Sequence, residues 1–433
     1  MQRIVNVSIV GAGYVGLVTG VGFANKGHKV ICIDTDTDKV RQINWGKSPV
    51  YEDNLERLLS RSVNEIGNLE ASSNYSEIQK SDITFVCVNT PCNSKKDIDL
   101  SQIVDSAAEI GRVLTKTNNH HVVTVKSTVI PGTTEDIIVP ILEQYSSKKA
   151  GRDFGIAVNP EFLQEGKAMQ CFLNPGRIVI GEYDHRADDK LQEIYHDFPA
   201  PILRTDIRTA EMIKYASNAF LATKITFINE IGNICKELGI DVYEVAKGMG
   251  YDPRIGDKFL DAGIGFGGSC LPKDSEALIC QARELNYKAK LLQAVSEVNK
   301  EQPLRLIAIA RKRLGSLENR VVAVLGLAFK PDTDDIRQAP ALTIIGQLLM
   351  ERAAVKVYDP KVMPKAEQIF SDGVEFCNSA SDATAEADCV LIATEWDEFK
   401  DESLYTGKLV IDGRRTLNPE KARRLCQYEG VCW

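Results

Sequence analysis

The sequence predicts an α/β fold: two doubly wound sheets joined by a long-helix connector. Three observations carry that expectation. Residues 4–10 are an apolar run that enters the turn Gly11-Ala12-Gly13-Tyr14-Val15-Gly16, and a segment of helical spacing follows at once. Through the first half of the chain, short apolar runs alternate with helix-like segments, the pattern of a parallel sheet. After a long helical stretch, a strand restarts at 320–326 (RVVAVLG), behind the polar turn Gly315-Ser316-Leu317-Glu318-Asn319.

Taken in order, 4–10 is a strand, 14–25 a helix and 29–33 a second strand. Residues 82–88 (DITFVCV) and 121–126 (HVVTVK) are apolar enough for strands buried on both faces. From Asp206 the period changes. Residues 209–238 read as one long helix, and 275–314 as mostly helical. Strands then recur at 320–326, 355–358, 389–393 and 408–412, with a helix at 339–351. Both outer segments are expected to be Rossmann-like. The expected division is 1–205, a central helical segment 206–314, and 315–433.

At 433 residues the chain has room for two or three domains of roughly 100–200 residues each. A net charge of −8 argues against nucleic acid as a partner, which calls for a basic footprint. No apolar run approaches the ~20 residues that cross a bilayer. Residues 4–10 feed the glycine turn and so do not read as a signal segment. The expectation is a cytoplasmic protein. Eleven cysteines show no C-x-x-C, and five histidines show no H-x-x-x-H, so no metal site is expected.

The glycine turn is a dinucleotide signature in its proper context. It follows a strand, opens a helix, and is followed 18 positions after Gly16 by Asp34 at the end of the next strand. Gly11, Gly13 and Gly16 let the backbone approach a pyrophosphate at the helix N-terminus. Asp34 suits ribose hydroxyls and repels a 2′-phosphate, which favours NAD over NADP, although Lys39 is nearby in sequence.

A second motif, Gly265-Phe266-Gly267-Gly268-Ser269-Cys270-Leu271-Pro272-Lys273-Asp274, places one cysteine before a helix start. Helix N-termini lower thiol pKa values, and Pro272 suits an early helical position. Asp274 falls on the same face, four residues on. A positioned thiol beside a redox cofactor points to oxidation through a thioester. Lys214 and Asn218 share a helix face and together suit an oxyanion. Asn159-Pro160-Glu161-Phe162-Leu163-Gln164-Glu165-Gly166 sets two carboxylates four apart, a pair suited to substrate binding and to proton handling in hydrolysis. Lys126-Ser127-Thr128-Val129-Ile130-Pro131-Gly132 ends a strand at the carboxyl edge, where α/β sites form. Each segment alone also fits a capped turn or a solvated helix face.

Together these motifs, with Asn89-Thr90-Pro91, Pro253-Arg254-Ile255-Gly256, residues 327–337 (LAFKPDTDDIR) and Asp412-Gly413-Arg414-Arg415, resemble the UDP-glucose 6-dehydrogenases of the nucleotide-sugar 6-dehydrogenase superfamily over nearly the whole chain. The resemblance implies oxidation of a sugar C6 alcohol to a carboxylate, with two NAD reduced per sugar. It implies Cys270 as nucleophile, Lys214 and Asn218 as oxyanion donors, Asp274 for proton transfer, Thr128 and Glu165 for positioning water, and Glu161 for thioester hydrolysis. For NAD it implies Gly11, Gly13, Tyr14, Val15, Gly16, Asp34, Lys39, Thr90, Thr128, Glu165, Lys273 and Arg337. For the sugar nucleotide it implies Glu161, Phe162, Leu163, Lys214, Asn218, Phe259, Phe266, Gly267, Lys330 and Arg414, with Arg254 reaching in from a second subunit of a homodimer. On this resemblance 1–205 binds NAD, 206–314 is the dimerisation segment that carries Cys270, and 315–433 binds the nucleotide.

UDP-glucose is the expected substrate. Leu271 departs from a frequent Phe, and the Cys-Leu-Pro-Lys-Asp form also occurs in GDP-mannose dehydrogenases, so GDP-mannose is an alternative, as is a UDP-N-acetylhexosamine. A non-catalytic nucleotide-sugar sensor and a simple two-electron dehydrogenase are remoter readings. Neither accounts for the full set of Cys270, Lys214, Asn218 and Asp274. General-base duty stays open between Lys214, Asp274 and a water.

Overall fold

Runs at 7–10, 30–33, 83–86, 122–125 and 155–158 are buried on both faces, as strands in the middle of a covered parallel sheet must be. The computed structural model describes residues 4–93, 98–370 and 372–433, so the first three residues of the expected 1–205 segment lie outside the described residues. The chain divides into two compact units, one ending at Ala216 and one from Ser217 to Trp433.

Among its described residues the first unit holds eight strands: β1 Asn6–Val10, β2 Lys29–Ile33, β3 Leu69–Ser72, β4 Ile83–Val86, β5 Val122–Val125, β6 Gly155–Val158, β7 Ile178–Glu182 and β8 Ile202–Asp206. Their order is β3-β2-β1-β4-β5-β6-β7-β8. The direction of winding reverses between β1 and β4, the switch point at which doubly wound sheets bind ligands. The sheet expected from sequence was parallel throughout; β6 and β7 instead pair antiparallel. The chain after β6 does not cross the sheet. It loops through 159–167 and the short helix Ala168–Leu173 and re-enters beside the carboxyl end of β6. Asn159 ties that return, donating from Nδ2 to the Val179 carbonyl at 2.8 Å. Phe23 anchors the core under this region, with Phe85, Phe172, Tyr195 and Phe198 packed around it at centroid distances of 5.1 to 6.4 Å.

The long helix runs Ile207–Leu238, two residues longer at its start than expected, and the division between units falls within it. In the second unit the stretch expected to be mostly helical resolves into Leu271–Glu284, Lys290–Glu301 and Leu304–Leu314. Asn286 takes a left-handed φ of 57° after the first of these, and Pro303 cannot continue the second, so both breaks have local causes. Six parallel strands follow: β9 Val321–Leu325, β10 Ala354–Tyr358, β11 Val374–Phe376, β12 Cys389–Ile392, β13 Leu409–Asp412 and β14 Gln427–Gly430. Their order, β11-β10-β9-β12-β13-β14, repeats that of the first six strands of the other sheet. Both units are Rossmann-like. Among the described residues no helix is long and apolar enough to cross a membrane.

Candidate active site

The first cluster forms where β1 turns into helix Tyr14–Asn25. The turn is close-packed: a Cβ on Gly16 would sit 1.8 Å from the Gly11 carbonyl oxygen. Gly13 differs, since an added Cβ would meet nothing nearer than the Asn89 side chain at 3.9 Å. Gly13 is the N-cap residue, no side chain caps the helix, and its first turn carries no acid, so the positive end of the helix dipole is not offset there by a capping side chain or a first-turn acid. Asp34 is half-buried at the end of β2. Its Oδ2 accepts the Ala12 N–H at 2.8 Å and its Oδ1 the Asp36 N–H at 2.9 Å. Lys39 Nζ stands 3.8 Å from Asp34 Oδ2. An uncapped helix N-terminus beside a strand-end carboxylate fits the pyrophosphate and ribose of a dinucleotide. Thr90 is buried across the switch point and donates to the Thr128 carbonyl at 2.8 Å, which joins two expected cofactor positions.

The second cluster, still in the first unit, gathers on the loop after β6. Glu161 is buried; its Oε1 accepts from Lys214 Nζ at 2.6 Å and its Oε2 from the Leu163 N–H at 2.6 Å. Burial pushes the Glu161 carboxyl up, but Lys214, the Leu163 N–H and Lys126 outweigh it, and the group is held below the usual carboxylate range. Phe162 lies under the Arg177 guanidinium at 3.9 Å and 5.6 Å from Lys214 Nζ. A cavity of 360 Å³ adjoins the loop, lined in part by Glu161, Phe162, Leu163, Lys126 and Arg177. Glu165 is half-buried on the same turn.

In the second unit, Cys270 is exposed and occupies the N-cap position of helix Leu271–Glu284, with Pro272 in the first turn. The glycines before it are required by contact: Gly268 has φ +82°, and a Cβ there would press on the Phe329 ring at 2.9 Å. Asp274, one turn into the helix, is 1% exposed. Asn218 Nδ2 donates to its Oδ2 at 2.6 Å and Lys273 Nζ to its Oδ1 at 2.7 Å. Lys273, which the resemblance assigns to cofactor contact, thus also holds Asp274.

The remaining candidates are more dispersed. Lys330 and Arg414 follow the carboxyl ends of β9 and β13, which flank β12. Lys330 Nζ is 5.6 Å from the Phe329 ring centroid, and Arg414 Nε donates to the Ala393 carbonyl at 3.2 Å. Arg337 forks onto Asp335 through Nε and Nη2. Arg254 has a side chain 87% exposed, paired with its near neighbour Asp252. Phe259 holds a left-handed φ of 62°. Phe266 packs in a small core with Ala222 and Val295, and both its backbone groups bond Asn299.

Several supporting residues were missed. Glu52, buried, accepts the Gly166 and Ala168 N–H groups at 2.7 and 2.8 Å and bonds the Tyr14 hydroxyl, so it joins the cofactor turn to the Glu161–Glu165 loop. Glu211 accepts the Gly132 N–H at 2.6 Å and the Thr134 N–H at 3.1 Å, which ties the loop after Thr128 to the long helix. Arg415 forks onto Asp241 at 2.6 and 2.7 Å beside Arg414. A lone acid between turns carries no sequence signal. Glu211, inside the helical motif and one turn before Lys214, was the one most open to notice.

Three sequence profiles match the chain: the UDP-glucose/GDP-mannose dehydrogenase family NAD binding domain over 5–199, the central domain over 208–301 and the UDP binding domain over 323–419. The chain is 44% identical to the UDP-glucose 6-dehydrogenase AglM of Haloferax volcanii, covering 95% of this chain and 97% of that one. It is 38% identical to a GDP-mannose 6-dehydrogenase of Pseudomonas putida, covering 99% and 100%. A solved UDP-glucose dehydrogenase from Pyrobaculum islandicum superposes with a TM-score of 0.94 at 40% identity, covering 100% of this chain and 98% of that one.

Proposed function

Because the chain belongs to the UDP-glucose/GDP-mannose dehydrogenase family, we propose that it oxidises the C6 alcohol of UDP-glucose to the carboxylate of UDP-glucuronate, four electrons in all, through a thioester on Cys270. The observation that carries the reading is the pairing of each oxyanion donor with a buried carboxylate: Lys214 with Glu161, and Asn218 with Asp274. NAD, held by the glycine turn, Asp34, Lys39 and Thr90, supplies a hydride acceptor for each of the two oxidations.

Within that reading, the alcohol proton leaves as hydride departs and an aldehyde forms. Cys270 sulfur bonds to the aldehyde carbon, and Lys214 and Asn218, one turn apart on one helix, donate to the oxygen that gains charge. Loss of a second hydride leaves the thioester. Water then adds at the carbonyl carbon, the carbon–sulfur bond breaks, and sulfur departs as thiolate with Glu161 taking the water proton. Asp274, held by Asn218 and Lys273, is the residue this reading assigns to proton transfer. Thr128 and Glu165 position the water, and Lys330 and Arg414 face the diphosphate.

The same reading divides the chain into an NAD-binding segment over 1–205, a central segment over 206–314 and a nucleotide-binding segment over 315–433. It also makes the protein a homodimer. Phe220, Phe227 and Ile234 recur every seven residues on the long helix and are 64%, 45% and 53% exposed, an apolar stripe suited to a second copy. Arg254, on an exposed turn, would then serve the neighbouring site. UDP-glucose is preferred to GDP-mannose because the matches of higher identity are UDP-glucose enzymes.

The test is NADH formed per mole of limiting sugar, with UDP-glucose, GDP-mannose and UDP-N-acetylglucosamine compared. Two NADH from UDP-glucose alone is expected. Two from another sugar would move the specificity and keep the mechanism. One or none from every sugar would remove the thioester step.

A further inference from the structure

Lys126, at the end of β5, is buried at 4% exposure, and its ammonium bonds one residue, Asn159, at Oδ1 (2.8 Å) and at the backbone carbonyl (3.3 Å). Asn159 Oδ1 also accepts the Tyr195 hydroxyl at 2.6 Å, and its backbone N–H donates to the Val125 carbonyl at 2.9 Å. With Nδ2 on the Val179 carbonyl, every polar group of this residue is held. Glu161 follows two positions later.

A buried ammonium bonded only to neutral groups is costly, and a methionine or leucine would fill its place more cheaply. The groups that act on Glu161 suggest why it is there. They are Lys214 from the long helix, the Leu163 N–H from its own loop and Lys126 from the end of β5, while Glu161 in turn helps to keep the buried Cys87 thiol, just after β4, protonated. Arg177 and Tyr195 line the same cavity. Two lysines thus act on one carboxylate, and only Lys214 touches it. Burial pushes the Lys126 ammonium down to about 8, which leaves it charged at neutral pH.

We propose that Lys126 is a positioning residue for the hydrolytic half of the reaction. Through Asn159 it fixes the backbone that presents Glu161, and its charge adds to that of Lys214 in favouring the carboxylate that accepts the water proton. The inference rests on the oxidation proposed above. In the step concerned, the water oxygen bonds to the thioester carbon, the carbon–sulfur bond breaks, Cys270 leaves as thiolate, one water proton passes to Glu161, and the other stays on the product acid.

The experiment follows thioester decay in single turnover by quenched intact mass across pH, on the full-length protein with NAD and UDP-glucose. Lys126→Met, Lys126→Gln, Tyr195→Phe and Glu161→Gln are compared with the unaltered chain. Removing the Lys126 charge raises the Glu161 pKa, so the acidic limb moves to higher pH and decay below the limb slows, by less than removal of the Lys214 charge would cause. The first hydride transfer keeps its rate. Lys126→Gln retains a donor toward Asn159 without the charge, and serves alone if the methionine variant does not fold. Tyr195→Phe removes a hydrogen bond to the same Asn159 and leaves the limb in place. An unshifted limb in a folded Lys126 variant, or an equal shift in Tyr195→Phe, overturns the proposal and leaves the oxidation standing. Wild-type thioester decay in Glu161→Gln would instead overturn the role of Glu161 on which it rests.

Discussion

Lys214 Nζ and Glu161 Oε1 meet at 2.6 Å with side-chain exposures of 5% and 8%, so the pair is an ion pair in a nearly dry interior. Removing one partner strands the other charge. Lys214→Ala is therefore expected to cost about 3–5 kcal/mol of stability, read by urea unfolding of the full chain. The double variant Lys214→Met, Glu161→Leu should recover most of that loss and remain inactive. The pair also sets a pH dependence. The folded-state pKa of Glu161 lies below its unfolded value, so its contribution is complete above roughly pH 4.3 and is lost as pH falls through the depressed value. Unfolding between pH 3 and 7 should show this slope in the unaltered chain and a shallower one in the double variant.

Cys270 carries the second prediction. It is exposed at the head of a helix, while Cys32, Cys87 and Cys389 are buried and their thiols pushed up to about 12 by burial. Cys270→Ala should abolish acid formation and leave NAD binding unchanged by titration. Cys270→Ser should accumulate a slowly hydrolysed ester, visible as an added mass on the intact chain. Full turnover by the alanine variant would end the thioester mechanism.

Asp274 supports a third. Two donors, Asn218 and Lys273, converge on one buried carboxylate. Asp274→Asn keeps the shape and removes the charge, and it turns an amide N–H₂ toward one of those donors. The expected result is a fall in kcat of about 10²–10⁴ with a smaller change in KM for the sugar nucleotide. A KM effect alone would make Asp274 a binding residue.

The legible parts of this chain share one property: their chemistry is local. The glycine turn, the Cys270 turn and the helices after them are short patterns whose backbone needs are visible in consecutive residues, as the 1.8 Å approach at Gly16 shows. What escaped reading depends on partners far apart in sequence. Glu52 acts on Gly166, and Glu211 on Gly132, across separations that no local period records. Strand β7 is not among the strands read from sequence, and its direction has no sequence signal, because an apolar strand looks the same either way. The 275–314 stretch was read as mostly helical because helical period persists across it, while the left-handed Asn286 and Pro303 break it into three.

The last prediction concerns cofactor choice. Asp34 has one oxygen on the Ala12 N–H and the other on the Asp36 N–H, with Lys39 3.8 Å away. The carboxylate thus shapes the glycine turn as well as serving the proposed ribose contact. A change that kept the ribose contact but loosened the turn would weaken both cofactors alike. A change that removed only the repulsion would favour NADP. Asp34→Asn keeps one acceptor oxygen and loses the charge, so kcat/KM for NAD should fall about tenfold while that for NADP rises, measured at constant ionic strength. Asp34→Ala removes both acceptors and should lower kcat/KM for both. Lys39→Ala, applied to the Asp34→Asn background, should reverse the gain on NADP, because Lys39 is then the cation left beside the 2′ position. Equal loss on both cofactors in Asp34→Asn would mean that the turn, and not the charge, sets the preference.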